Sequence, residues 1–190
     1  SALMGIVQGL SEFLPVSSSG HLIVAEKLLG LFGMKSSDDS LAFAVMLHLG
    51  TLIAVVAIFW RDWVDMLLHP IKNRTLLMLF MASLPALVVA VVLGDKLEIL
   101  FKGWFLGISF LITAVFLVLL EWLDRKRDST GLETVNIKDA LIMGSFQAVA
   151  LLPGVSRSGS TLLGGVSSGL SRAAAAKFSF MMSAPAILGS

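Results

Sequence analysis

Three stretches of this chain run for about 20 residues with almost no charge, and that feature limits the fold more than any other. An α-helix needs about 20 apolar residues to cross the ~30 Å hydrocarbon layer of a bilayer. Residues 41–60 (LAFAVMLHLGTLIAVVAIFW) hold one titratable group, His48, and residues 75–93 and 103–120 hold none. Pro85 marks a candidate kink in the second stretch, which a membrane helix tolerates. Trp60, Trp63, Trp104 and Trp122 lie at span ends, where an interfacial aromatic belt would place them. Charged residues make up 14% of the chain and hydrophobic ones 56%. A soluble domain averages about 25% charged residues. The net charge of +1 gives no footprint for nucleic acid. Without cysteine there are no disulfides or thiolate metal sites, and His21, His48 and His69 are too few and too dispersed for a zinc cluster. The first residues lack a basic leader, and both ends fall within apolar sequence. The chain therefore reads as a single membrane domain over 1–190, cut at both ends.

Two further apolar regions are broken. Residues 2–32 hold two short stretches around Pro15-Val16-Ser17-Ser18-Ser19-Gly20-His21, and residues 140–171 hold two around Pro153-Gly154-Val155-Ser156-Arg157-Ser158-Gly159. Each half is too short to span, which suits re-entrant segments. The regions also repeat each other. With a shift of 139, Met4, Gly5, Gln8, Val16, Ser17, Ser19 and Gly20 fall on Met143, Gly144, Gln147, Val155, Ser156, Ser158 and Gly159, seven identities in 17 positions. A last apolar helix is expected from about Ala173.

Lysine and arginine in short loops set orientation. Arg61, Lys72 and Arg74 lie in one loop and Arg125, Lys126, Arg127 and Lys138 in another, so both are expected on the cytoplasmic side. The loops at 33–40 and 94–102 then face outward. Three spans separate the two broken regions, and an odd number inverts them. The expected fold is an all-α polytopic membrane protein: transmembrane helices plus two re-entrant helix-loop-helix hairpins related as inverted repeats, an arrangement familiar from transporters.

The hairpins carry the chemistry. Gln8 and Glu12 are four apart and share a helix face, and a carboxylate at membrane depth marks a functional site. Pro15 stops that helix, Ser17, Ser18 and Ser19 form a polar turn, and His21 opens the next half-helix, whereas His48 has no polar company and reads as structural. Arg157 is the only charge between Met143 and Ser171, so nothing in its own hairpin neutralises it. It can pair with Glu12 across the repeat, or hold a phosphate as a two-point fork. Ser156, Ser158, Ser160 and Thr161 sit where a helix N-terminus would add backbone N–H donors for an anion. Asp124–Asn136 reads as solvated loop.

These motifs resemble a known family. Gln8-Gly9-Leu10-Ser11-Glu12-Phe13-Leu14-Pro15-Val16-Ser17-Ser18-Ser19-Gly20-His21 is similar to the (E/Q)xxxE-FLPVSS-x-GH signature of the undecaprenyl-diphosphatase (bacitracin-resistance) family. Pro153 to Gly159, completed by Thr161, is similar to its PG-x-SRS-x-x-T motif, and Leu47-His48-Leu49-Gly50-Thr51 and Phe59-Trp60-Arg61 fit its middle region. The resemblance implies hydrolysis of a C55 polyprenyl diphosphate to the monophosphate at the outer face of the bacterial plasma membrane. That reaction recycles the lipid carrier for cell-wall synthesis and opposes bacitracin. It implies a divalent cation (Mg2+ or Ca2+), with Gln8 and Glu12 at the metal and acid positions. Ser17, Ser18 and His21 take the serine and histidine positions, with either Ser18 or His21 as nucleophile, and Ser156, Arg157, Ser158 and Thr161 the phosphate-binding positions. Gln8 departs from a two-carboxylate pair. The expected partners are the polyprenyl diphosphate and the membrane, with a homodimer as an assembly option. The rival readings are a carrier that flips a polyprenyl phosphate and a phosphatidic-acid-type lipid phosphatase, whose basic first motif and second histidine are missing here.

The charge pattern makes a direct topological prediction. A single cysteine introduced at Ser37 should react with an impermeant thiol reagent on intact cells, and one at Ser129 should not. Labelling at Ser129 alone would reverse the orientation.

Overall fold

Apolar runs become helices here because a bilayer offers no partner for free backbone groups. The computed structural model describes residues 2–31, 40–69, 73–100, 105–126 and 131–189. The described elements are α1 (Ala2–Phe13), α2 (Ser18–Leu31), α3 (Ser40–Ile58), α4 (Trp60–Leu68), α5 (Thr75–Leu100), α6 (Leu106–Lys126), α7 (Ile137–Val149), α8 (Arg157–Ser168) and α9 (Arg172–Leu188). Among the described residues the only β pairing is an isolated bridge between Leu132 and Leu170. Most of the outer loop expected at 33–40, Trp104 and the Arg127–Thr130 segment lie outside the described residues.

Thr75–Leu93 of α5 and α6 are each long and apolar enough to cross a membrane. Both present apolar side chains outward, as with Val91 and Val118. The α5 helix runs on through Pro85 and continues to Leu100, so helix replaces most of the loop expected at 94–102. The span expected at 41–60 is instead a bent pair, with α3 and α4 meeting at 73° across Phe59. The charges of Arg61, Asp62 and Asp65 explain the turn: a straight continuation would carry them along the apolar axis. α4 instead buries Met66 and leaves Trp60 exposed with the Arg61 guanidinium 5.5 Å from its ring. The described residues thus hold two helices long and apolar enough to cross a membrane, or three spans if the bent pair counts as one, the make-up of a multi-pass membrane protein.

The expected broken regions are helix-loop-helix units. α1 and α2 are 12 and 14 residues long, and α7 and α8 are 13 and 12. At 1.5 Å per residue each falls short of the hydrocarbon thickness. α7 and α8 occupy the centre, with α5, α6 and α9 packed around them. Their core joins Met78, Leu79 and Ala82 of α5 to Met143 of α7, Leu163 and Val166 of α8, and Phe178, Met181 and Met182 of α9. Small residues allow this approach: Gly144 lies against the Ala82 carbonyl, and Gly165 against the Ala175 methyl.

Part of the stretch read as solvated loop, Asp124–Asn136, is tied down. α6 continues to Lys126, and Asp124 accepts from Arg172 at 2.8 Å. Leu132 N–H donates to the Gly169 carbonyl at 3.0 Å, and Ser171 N–H to the Leu132 carbonyl at 3.0 Å. Asn136 then caps α7 in a reciprocal pair with Asp139, each side chain accepting from the other's backbone N–H at 3.0 Å. The polar composition was legible, but the docking of this backbone onto the α8–α9 turn is a tertiary contact.

Gly144→Ala should lower the thermal midpoint in detergent, because its methyl must push back the α5 backbone at a cost of about 1–3 kcal/mol. Gly107→Ala, with open space around the added methyl, should be neutral or stabilising by up to about 1 kcal/mol. Equal midpoints for the two variants would contradict the α5–α7 packing.

Candidate active site

Glu12 is the hub of the site. Its carboxylate accepts from Gln8 Nε2 one turn earlier at 2.8 Å and from Ser18 Oγ, the first residue of α2, at 2.5 Å. Its other oxygen pairs with Arg157 Nη2 from the first turn of α8. The Glu12 side chain is 9% exposed and that of Arg157 24%. Arg157 Nη1 reaches the Ser183 carbonyl of α9 at 3.5 Å. Arg157 thus pairs with Glu12, contributed by the opposite helix-loop-helix unit.

The local sequence fixes both hairpin tips in the same way. Ser17 Oγ accepts from Gly20 N–H at 3.3 Å, and Ser156 Oγ accepts from Gly159 N–H at 3.1 Å, so a serine caps α2 and α8 at positions 139 apart. Each capping hydroxyl also lies beside the serine two residues on, Ser19 at 3.4 Å and Ser158 at 3.3 Å. Ser17 adopts φ 67°, an unusual conformation for a residue with a side chain. Its carbonyl is thereby placed 2.7 Å from His21 Nδ1. The tips touch: Ser158 Oγ donates to the Leu14 carbonyl at 3.2 Å, and a Cβ on Gly159 would sit 3.3 Å from the Pro15 carbonyl oxygen.

Thr113 of α6 holds the second tip in place. Its hydroxyl accepts from Ser156 N–H at 3.0 Å and donates to the Gly154 carbonyl at 3.2 Å. Thr161 donates to the Arg157 carbonyl at 2.9 Å and lies 2.5 Å from Ser179 Oγ.

Gln8, Glu12, Ser18 and Arg157 are thus in direct contact. Ser17 and Ser156 are buried as helix caps, and Thr161 is buried behind Arg157. His21 is exposed, with its ring edge-on to Phe110 at a centroid distance of 5.6 Å. Its bond to the Ser17 carbonyl requires a proton on Nδ1, which leaves Nε2 as the basic nitrogen of the neutral ring. The cavity at the ion pair is about 10 Å³ and is lined by Glu12, Thr51, Arg157, Ser158, Ser179, Phe180 and Ser183. Thr51, Thr113, Ser179 and Ser183 did not stand out in the sequence. The available signal was a hydroxyl inside an apolar helix, and Ser179 and Ser183 are one turn apart.

The donors suit a hard cation. Gln8 is 2% exposed, and its Oε1 has no hydrogen-bond partner while its Nε2 holds Glu12. Carboxylate, amide and hydroxyl oxygens are what Mg2+ and Ca2+ take, with substrate oxygens and water completing the shell. Among the described residues no group of three His, Cys, Asp or Glu could hold a metal.

The chain is a multi-pass helical membrane protein with an Arg–Glu–Ser cluster between two capped helix starts. The family model described as "Bacitracin resistance protein BacA" matches residues 1–190, and the chain belongs to that family. It is 42% identical over 193 residues to the undecaprenyl-diphosphatase of Caldicellulosiruptor bescii, covering 98% of this chain and 71% of the relative. It is 42% identical over 194 residues to that of Moorella thermoacetica (98% and 72%) and 37% identical over 187 residues to that of Thermodesulfovibrio yellowstonii (98% and 70%).

Arg157→Lys should keep the charge and lose the fork. The variant should insert and fold, with kcat/KM on a polyprenyl diphosphate reduced at least about tenfold, which is ~1.4 kcal/mol. Wild-type efficiency in the lysine variant would mean that charge alone suffices.

Proposed function

We propose that the chain hydrolyses undecaprenyl diphosphate to undecaprenyl phosphate and inorganic phosphate, and so recycles the lipid carrier for cell-wall synthesis and counters bacitracin. Family membership supports the reaction. The geometric observation that carries it is the Ser18–Glu12–Arg157 contact, which sets a hydroxyl, a carboxylate and a guanidinium side by side between two helix starts. A carrier that merely flips the lipid would use the arginine but has no need of a serine hydroxyl held 2.5 Å from a carboxylate.

In this reading Arg157 exchanges Glu12 for the diphosphate, which it grips with both terminal nitrogens, while Ser158 and the N–H groups at the start of α8 face the same oxygens. Ser18 Oγ attacks the terminal phosphorus, and its proton passes to Glu12 Oε2. The anhydride P–O bond breaks, undecaprenyl phosphate leaves, and water releases phosphate from the serine. The hydrogen bond to Glu12 favours Ser18 as nucleophile, while His21, with Nε2 free to accept a proton, serves the second step. A divalent cation held by Glu12 and Gln8 Oε1 would neutralise charge on the diphosphate.

The same reading places the first hairpin toward the outer face of the bacterial plasma membrane and relates the two hairpins as inverted, re-entrant repeats. The equivalent serine caps 139 residues apart and the short half-helices support it. Two hairpins entering from opposite faces would bring both capped helix starts to one depth, which agrees with the contact between their tips.

Phosphate release from undecaprenyl diphosphate by the purified full chain tests this directly. Mg2+ should support turnover and a chelator abolish it, and Glu12→Gln should lose at least about a hundredfold while still inserting. Turnover by Glu12→Gln close to wild type at limiting metal would remove Glu12 from both roles.

A further inference from the structure

Arg157 is held at three points. Its Nη2 meets Glu12, its Nη1 donates to the Ser183 carbonyl of α9 at 3.5 Å, and its own carbonyl accepts from the Thr161 hydroxyl at 2.9 Å. The last bond is local, since a threonine inside a helix commonly bonds a carbonyl one turn back. The next link is not. Thr161 Oγ1 lies 2.5 Å from Ser179 Oγ of α9, and either hydroxyl can donate. Both residues are buried, and a buried hydroxyl is costly without a partner. Ser183, one turn further along α9, bonds the Phe180 carbonyl of its own helix at 2.6 Å, whereas Ser179 reaches across to α8. Ser179 also lines the ion-pair cavity. α9 therefore supports the arginine at both ends: at the guanidinium through the Ser183 carbonyl, and at the backbone through Ser179 and Thr161.

We infer that Ser179 is a positioning residue for Arg157, keeping the guanidinium aimed while Glu12 gives way to the diphosphate. The inference rests on the phosphatase reading and adds what holds the arginine during that exchange. Once the diphosphate takes over the Glu12 contact, the contacts that persist are the two from α9. Nη1 carries two N–H groups, so it can keep the Ser183 carbonyl and still reach a phosphate oxygen. At 3.5 Å that bond is at the limit of hydrogen-bond length, so a small slide of α9 along α8 would break it. The Ser179–Thr161 contact opposes such a slide, because it fixes α9 to the first turn of α8 one turn away from Ser183. A fork that must match two phosphate oxygens loses more from a misplacement than a point charge does.

A double-mutant cycle on the full chain, with undecaprenyl diphosphate as substrate, tests this. Ser179→Ala removes one hydroxyl and should fold, with a thermal midpoint within about 3 °C of wild type. Its kcat/KM should fall about fivefold. In the Arg157→Lys background the same substitution should cost less than about 1.5-fold, because lysine has no planar fork to aim. Ser145→Ala deletes an exposed hydroxyl of α7 that bonds the Leu141 carbonyl of its own helix, and it should leave kcat/KM unchanged in both backgrounds. A fivefold loss repeated in the lysine background means that Ser179 supports the fold in general and overturns the inference, as does an unchanged kcat/KM in Ser179→Ala. Wild-type efficiency in Arg157→Lys alone removes the fork that Ser179 would aim, and overturns the inference while the phosphatase reading stands. A wild-type chain that releases no phosphate from undecaprenyl diphosphate overturns that reading and this inference with it.

Discussion

A charge inside an apolar bundle has to be answered by another charge, and in this molecule that requirement joins the two hairpins. Leaving either Arg157 or Glu12 unpaired at membrane depth would cost several kcal/mol. Neither tip can answer its own charge: α8 and the loop before it hold no acid, and the loop from Leu14 to Ser17 holds no base. The Arg157–Glu12 contact therefore closes only when both tips meet. The serine caps and the Ser158–Leu14 bond hold those tips at the needed separation. Thr113, reaching in from α6, keeps the second tip from rotating.

The packing that supports this junction depends on small residues, because no hydrophobic drive separates helix from lipid. Gly144 and Gly165 bring α7 and α8 close to α5 and α9, and the methionine-rich core fills what remains. α9 is fixed at its start by the Ser171 cap, by Arg172 on Asp124 and by Lys177 on Asp62 at 2.5 Å. Three turns from that anchored end it delivers Ser183 to Arg157.

Much of this was legible in the sequence, and the parts that were not have a common cause. The spans at 75–93 and 103–120 followed from length and apolarity alone, and the two helix-loop-helix units from the 139-residue repeat. Glu12, Ser18 and Arg157 stood out because polar groups in apolar sequence have few innocent explanations, and the structure puts them in contact. The bend at Phe59 was missed because hydropathy averages over the onset of charge at Arg61. The pairing of Arg157 with Glu12 is a contact between residues 145 apart, which no local pattern encodes. Thr51, Thr113 and Ser179 were missed because a single hydroxyl in a membrane helix usually bonds its own backbone, as Thr51 does to the Leu47 carbonyl at 3.2 Å. Thr113 differs only because α6 happens to pass the Gly154 turn.

The ion pair also explains why the proposed reaction would call for a divalent cation. Glu12 and Arg157 together carry no net charge, so the site rests neutral in a low-dielectric setting. A bound diphosphate adds roughly two to three negative charges, and Arg157 can offset one of them only by releasing Glu12, whose own charge then returns. The balance stays negative by about the full charge of the ligand, a state that burial penalises by several kcal/mol per ion. In that reaction a divalent cation held by Glu12 and Gln8 Oε1 would supply the positive charge that brings the site back near neutrality. Arg157 alone therefore cannot both bind the substrate and stabilise the charge that builds on the leaving phosphate. The unpartnered Gln8 oxygen is a buried position where a cation would gain a ligand without breaking an existing hydrogen bond.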